Sequence, residues 1–183
     1  MGGCDKSLQM LGGRPILTHV IERLTPQVES MVLNVNGDPA RFAAWNLPTA
    51  SDDVVGNPGP MAGILAGMAW AAQKGCDKIV TVPTDTPFLP FDLVEQLSAA
   101  RDRESAEIAV AASGAYTHYA TALWPVNLES ALRQQLSDGV RKLEDFMRAF
   151  RVAVVTYGTD DGDPFFNINS PEDLAAAQTH IGL

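Results

Sequence analysis

Short apolar runs of strand-like character alternate with longer, helix-periodic segments along the whole chain. That alternation predicts an α/β fold built on a parallel sheet. Near the start, Gly12-Gly13-Arg14-Pro15 reads as a turn, with Pro15 suited to the first position of a helix running to about Leu24. Ser30–Val35 is a short apolar strand ending in the loop signal Asn36-Gly37-Asp38-Pro39. Pro39–Trp45 reads as a short helix and Thr49–Ala50 as a short extended piece. Pro58-Gly59-Pro60 then opens a long apolar helix from Met61 to about Gln73. Lys78–Val82 is the clearest candidate for a buried strand, closed by Pro83-Thr84-Asp85-Thr86-Pro87 and followed by a helix over about Asp92–Arg103. Ile108–Ala112 and Thr121–Trp124 are further strands joined through a turn at Gly114. Leu128–Leu136 and Lys142–Phe150 are expected as amphipathic helices, and Arg151–Thr156 as a strand. Thr159–Pro164 is an acidic loop. Ser170 and Pro171 then supply the cap and first position of a last helix, whose first turn carries Glu172 and Asp173.

Composition narrows the function classes. A chain of 183 residues suits one compact domain, and 46% hydrophobic with 19% charged residues is enough to bury a core. The net charge of -9 argues against a nucleic-acid or membrane-surface binder, which needs a basic patch. It does not exclude a phosphate-bearing small ligand, which backbone N–H groups, a local cation or a divalent metal can hold. Cys4 and Cys76 show no metal-like spacing to the three histidines and read as free thiols. No signal-peptide pattern or membrane-length apolar run is present, so a soluble, cytoplasmic protein is expected.

Candidate chemistry collects where the strands end. In open α/β sheets ligands bind beyond the carboxyl ends of the strands. Asn34 and Asn36 end the first strand, Asp52-Asp53 follow the extended piece, and Asp85 follows the Lys78–Val82 strand. Asp85 sits between Pro83 and Pro87 on a stiff loop, where a hard oxygen suits Mg²⁺. It could equally cap the next helix or close an Asx-turn. Paired acids such as Asp52-Asp53 are also common in solvated loops. Met1-Gly2-Gly3-Cys4-Asp5-Lys6 puts a lysine just after two glycines, a combination that can cradle phosphates but is a weak signal alone. Gly63 and Gly67 permit close approach of the long helix to a strand or a ligand. Asn167 and Asn169 are spaced to share one face and can both donate and accept, as reading a heterocycle edge requires; helix capping is their other use.

Taken together, the segments MGGCDKSLQMLGGRPILTHV, RLTPQV, LNVN, PGPMAGI, VPTDTPFLP and FFNINSPEDL resemble the molybdenum cofactor guanylyltransferases, in that order and over essentially the whole chain. The resemblance implies a Rossmann-like nucleotidyltransferase fold: a mostly parallel sheet flanked by helices in three layers. Residues 1–183 would form one domain, nucleotide-binding in its N-terminal part and pterin-binding in its C-terminal part. It implies transfer of GMP from GTP to molybdenum–molybdopterin with Mg²⁺ as cofactor, and transient contacts with molybdenum insertion proteins or molybdoenzyme chaperones. Gly2, Gly3, Lys6, Asn34, Asp52 and Asp85 match nucleotide-binding positions, with Lys6 on the phosphates and Asp85 on the metal. Lys6 and Asp85 would be the catalytic pair, and Gly63, Asn167 and Asn169 match pterin-side positions. Met1-Gly2-Gly3 corresponds only to the end of the family loop LAGGxSxRMGG. The resemblance therefore implies a preceding strand and loop, so that either the protein begins upstream of Met1 or the chain is a truncation of impaired activity. His118, where relatives often continue with proline and this chain has Tyr119, is assigned no role. A related cytidylyltransferase, another sugar or pterin nucleotidyltransferase, or an impaired cofactor-binding relative are the alternatives.

Overall fold

The structure, a computed structural model, describes residues 5–52 and 59–180. Its strands are β1 (Met10–Leu11), β2 (Arg14–Pro15), β3 (Leu33–Asn34), β4 (Thr49–Ala50), β5 (Lys78–Thr81), β6 (Ile108–Ser113), β7 (Tyr116–Pro125) and β8 (Val152–Tyr157). Its α-helices are α1 (Ile16–Leu24), α2 (Pro60–Gln73), α3 (Leu93–Arg103), α4 (Glu129–Ser137), α5 (Leu143–Met147) and α6 (Pro171–His180), with a 3₁₀ helix over Pro39–Trp45. Among the described residues the main sheet has four strands in the order β5-β7-β6-β8. β6 and β8 are parallel, and β7 is antiparallel to both β5 and β6.

The architecture is three-layered, and side-chain alternation shows why. Along β6, Ile108 and Val110 join Trp124, Met61, Leu65 and Met68 with helices α4 and α5 on one face. Ala109 and Ala111 join Leu93, Leu97, Val20 and Phe165 on the other. A strand buried on both faces must be apolar at successive positions, as β6 is. Trp124 at the centre satisfies its indole N–H on Thr81 Oγ1 at 2.8 Å, and Thr81 in turn donates to the Ala120 carbonyl at 2.9 Å.

Four expectations need correction. The sheet is mixed rather than mostly parallel, because β6 and β7 are joined only through Gly114 and Ala115, and so short a link can return the chain only antiparallel. Gly114 takes φ +53, which a glycine adopts without strain. β5 is not fully buried: Lys78 is exposed and the rest half-buried, because among the described residues β5 lies at the edge of its sheet and pairs with β7 alone. The Ser30–Val35 strand shrinks to Leu33–Asn34, held by hydrogen bonds from the Leu33 N–H to the Pro48 carbonyl and from the Val35 N–H to the Ala50 carbonyl. Its partner can extend no further back, since Pro48 has no N–H to give. The helix expected over Lys142–Phe150 is only Leu143–Met147, after which single turns carry the chain to β8.

The small sheet of β3 and β4 is parallel and separate from the larger one. It has its own core of Leu17, Leu33, Val35 and Phe42. A last cluster, Leu11, Ile16, Ile168 and Ala177, ties α6 to the β1–β2 hairpin. The expected start of α6 is present: Ser170 Oγ accepts from Asp173 N–H at 3.1 Å while Asp173 accepts from the Ser170 and Asn169 amides at 2.9 and 3.0 Å. Among the described residues no helix is long and apolar enough to cross a membrane.

Candidate functional site

Two groups of the expected residues assemble, and the segment at Asp5-Lys6 runs between them. The first lies at the ends of β3 and β4. Asn34 Nδ2 donates to Asp52 Oδ1 at 2.9 Å, Asn36 Nδ2 donates to Asp52 Oδ2 at 2.8 Å, and the Asp52 amide returns to Asn36 Oδ1 at 3.3 Å. Both carboxylate oxygens are therefore held by amides that reach it from the neighbouring parallel strand. Two strands ending side by side produce this arrangement.

Gly63, in the first turns of α2, packs onto the same group. A methyl at Gly63 would lie 2.7 Å from Asn34 Nδ2, so with any other residue the Asn34 amide must move aside for the helix to come this close. The resemblance puts Gly63 with the pterin; the structure sets it against Asn34 and Asp52, residues of the nucleotide set.

The second group forms beyond β5. Thr86 Oγ1 donates to the Pro83 carbonyl at 3.0 Å, closing the loop that presents Asp85. The Ile168 amide donates to the Asp85 backbone carbonyl at 3.0 Å, which draws the C-terminal segment alongside. Lys6 Nζ donates to Asn169 Oδ1 at 2.6 Å. Burial pushes the Asp85 carboxyl above the usual carboxylate range; its own backbone N–H, the charge of Lys6 and a hydrogen bond from Asn167 act against that rise. Asn167 Oδ1, beside it, is buried and has no hydrogen-bond partner among the described residues. The helix-cap reading of Asp85 falls away, since the first turn of α3 takes its side-chain acceptor from Gln27, whose Oε1 binds the Val94 amide at 3.0 Å.

Asp5 and Arg41 connect the groups. Arg41 Nη1 meets Asp5 Oδ2 at 3.3 Å and Arg41 Nη2 donates to the Asn36 carbonyl at 3.1 Å, while Lys6, the next residue after Asp5, reaches Asn169. No motif in the sequence marked Arg41. It lies in the Pro39–Trp45 turn after a loop, where an arginine is ordinarily solvated; its Asn36 and Asp38 carbonyl partners are local, while Asp5 comes from a remote segment. Gly2, Gly3 and Asp53 lie outside the described residues, as does Cys4; Cys76 is a half-buried free thiol.

Near the N-terminus of α2 is a groove of about 420 Å³ lined by Pro60, Tyr119, Arg141, Lys142 and Glu144. The Arg141 guanidinium is taken up by the Leu136 and Val140 carbonyls at 2.7 and 2.8 Å, so it closes α4. Among the described residues no set of three histidine, cysteine, aspartate or glutamate side chains converges as a metal cage.

Comparison with known proteins follows the same lines. A family model described as the MobA-like NTP transferase domain matches residues 1–154. The molybdenum cofactor guanylyltransferase of Bradyrhizobium sp. (strain ORS 278) is 50% identical over 181 residues, spanning 97% of this chain and 85% of its own length. Molybdopterin-guanine dinucleotide biosynthesis protein A from Archaeoglobus fulgidus has a similar crystal structure, with TM-score 0.72 at 21% identity over 97% of this chain and 90% of that one. The 4-diphosphocytidyl-2C-methyl-D-erythritol synthase of Anaerococcus prevotii DSM 20548 gives TM-score 0.76 at 13% identity over 99% and 94%. At such identities the structural likeness speaks for the fold alone, and the sequence relatives carry the family.

Proposed function

The chain belongs to the MobA-like NTP transferase family, and on that premise we propose that it transfers GMP from GTP to molybdenum–molybdopterin. In this reaction an oxygen of the pterin phosphate attacks the α-phosphorus of GTP. The bond to the β-phosphate bridging oxygen breaks, pyrophosphate leaves with that electron pair, and the guanine dinucleotide form of the cofactor remains. Such a transfer needs reactants held in line and charge neutralised more than it needs a protein nucleophile. The observation that carries the reading is the junction of Lys6 with Asn169 beside Asp85. It joins the end of the glycine-rich segment to the C-terminal asparagine pair at one strand end.

Within the single domain we place GTP on the N-terminal half, against Asn34, Asp52, Gly63 and Lys6, and the pterin against Asn167 and Asn169. The residues fit a magnesium ion. Asp85 offers a half-buried carboxylate whose charge is under-compensated, and the Asn167 amide oxygen, without a partner among the described residues, lies next to it. Mg²⁺ takes few protein oxygens and completes its shell with water and phosphate. When bound it would neutralise charge on the triphosphate. Lys6 does the same as a point charge and also orients Asn169. Handover of the product implies transient docking to molybdenum insertion proteins or molybdoenzyme chaperones in the cytoplasm.

The direct test incubates the purified protein with Mg²⁺, molybdenum–molybdopterin and either GTP or CTP, following the dinucleotide and pyrophosphate. Guanine dinucleotide from GTP is expected; a cytosine dinucleotide formed in preference would overturn the reading. A second expectation concerns Gly63→Ala. Its methyl group would fall 2.7 Å from Asn34 Nδ2 and push that amide off Asp52. Loss of one hydrogen bond to a carboxylate should raise the KM for GTP by about tenfold. An unchanged KM would show that the Asn34–Asp52 pair does not bind the nucleotide.

A further inference from the structure

We propose that His118 is a positioning residue for the pterin-side asparagines, acting through Ser113 and Asp163 on the segment that carries Asn167 and Asn169. The proposal rests on the functional reading above for what those asparagines bind, but its structural part stands alone.

The pairing of β6 with β7 shifts register after Val110, so that Ala111 lies opposite His118. Ser113, two residues on from Ala111, shares its face and so lies diagonal to His118. His118 Nε2 is 2.7 Å from Ser113 Oγ, and Ser113 Oγ donates to Asp163 Oδ1 at 2.8 Å. A serine has one hydroxyl proton. Here the carboxylate takes it, so the proton between His118 and Ser113 must come from the imidazole, with Nε2–H as donor. Burial holds His118 below the usual imidazole range, against the pull of Asp163, so the ring is neutral at physiological pH and carries one N–H. Ser113 itself is only 1% exposed, and each of its two hydrogen bonds is needed where water does not reach.

Asp163 is the first of three pins on the C-terminal segment. Its Oδ1 also accepts from the Phe165 amide at 2.9 Å, and its backbone carbonyl accepts from Phe166 at 3.1 Å, which folds the turn. The buried Phe165 ring then packs on the His118 ring at 4.7 Å and on Tyr157 at 5.2 Å. Further on, Ile168 is tied to the Asp85 carbonyl and the Asn169 amide to Asp173. Phe166 and Ile168 turn into the small core, which leaves Asn167 and Asn169 on the opposite side toward Asp85 and Lys6. Of the three pins, only the one at Asp163 anchors the segment to the main sheet. It is set by a histidine that touches neither substrate position.

The test uses His118→Phe, which keeps a ring against Phe165 but removes the donor, and His118→Gln, whose Nε2–H can restore it. His118→Phe should raise the KM for molybdenum–molybdopterin by about fivefold, the worth of one ordinary hydrogen bond, with the KM for GTP nearly unchanged. His118→Gln should bring the pterin KM back toward the parent value. Independently of activity, amide hydrogen exchange at Asn167, Ile168 and Asn169 should speed up in His118→Phe and return in His118→Gln. If His118→Phe does not fold, Ser113→Ala removes the same link at the hydroxyl and should give the same exchange pattern. Unchanged exchange in the donor-less variants, or equal effects of Phe and Gln, would overturn the proposal. The predicted exchange pattern in a protein that forms no guanine dinucleotide would instead overturn the functional reading and leave the positioning role intact.

Discussion

Asp85→Asn is expected to lower the rate of GMP transfer by roughly 10²–10³-fold, the cost of removing one preorganised charge-stabilising group, while raising the melting temperature of the metal-free protein at neutral pH. Both effects have the same cause. The Asp85 carboxyl is held above the usual carboxylate range chiefly because burial penalises its charge. A carboxyl raised in the fold stabilises the native state relative to the unfolded chain when protonated. That contribution fades as pH rises through the unfolded and then the folded pKa. Once charged, the side chain is therefore a local liability, tolerated on the proposed reading because a cation and phosphates would use it. Asparagine keeps the shape and can still accept from Asn167 without carrying charge. Melting curves in chelator at pH 7 and at pH 3 check this: the advantage of the variant should be present at the first and close at the second. Equal melting temperatures at pH 7 would remove the burial argument. Full activity would remove Asp85 from the site.

Lys6→Met should reduce kcat/KM by about 10- to 100-fold, the range for losing a hydrogen bond from a charged donor. The side chain works in two directions. It donates to Asn169 Oδ1 at 2.6 Å, and its charge moderates the rise at Asp85. Methionine keeps the length and apolar stem, so the loss isolates the ammonium group. Without that charge the Asp85 carboxyl titrates still higher, and the acid limb of the activity profile should move to higher pH. Steady-state kinetics across pH with each substrate varied in turn make the measurement. Lys6→Arg should recover only part of the activity, because a planar fork does not replace a compact ammonium on one amide oxygen. An acid limb that stays put in Lys6→Met would separate the lysine from Asp85.

Much of this protein could be read before its structure was known, wherever the determining interaction is local. Ser170, Pro171 and Asp173 announce the start of α6 because a cap is built from residues a turn apart, and the bonds form as the spacing requires. The apolar run ending in Pro83-Thr84-Asp85-Thr86-Pro87 announces a strand and a stiff carboxylate loop for the same reason, and Thr86 closes that loop within itself. The burial of β5 was not legible, because an edge strand and a central strand share the same apolar signature and differ only in their neighbours. The shortness of β3 depends on Pro48, just before the partner strand.

The site divides along the same line. Strand ends marked Asn34, Asp52 and Asp85 as candidates, since ligand chemistry collects beyond the carboxyl ends of strands, while local spacing marked Lys6 after two glycines and paired Asn167 with Asn169. Their pairing came from packing alone. Lys6 and Asn169 are 163 residues apart, and nothing in either neighbourhood specifies the other. Gly63 lies against Asn34 and Asp52 because a helix rests on that strand end. Arg41 gained Asp5, 36 residues away, and Ser113, the neighbour of His118, gained Asp163, 50 residues away, pairings that no spacing could have indicated. What the sequence by itself determined are the elements and the chemical groups they present, because propensity, capping and alternation act over a few residues. Which groups meet, and so which atoms can share a phosphate or a proton, was decided only by the tertiary structure, because those contacts depend on how remote segments pack around one core.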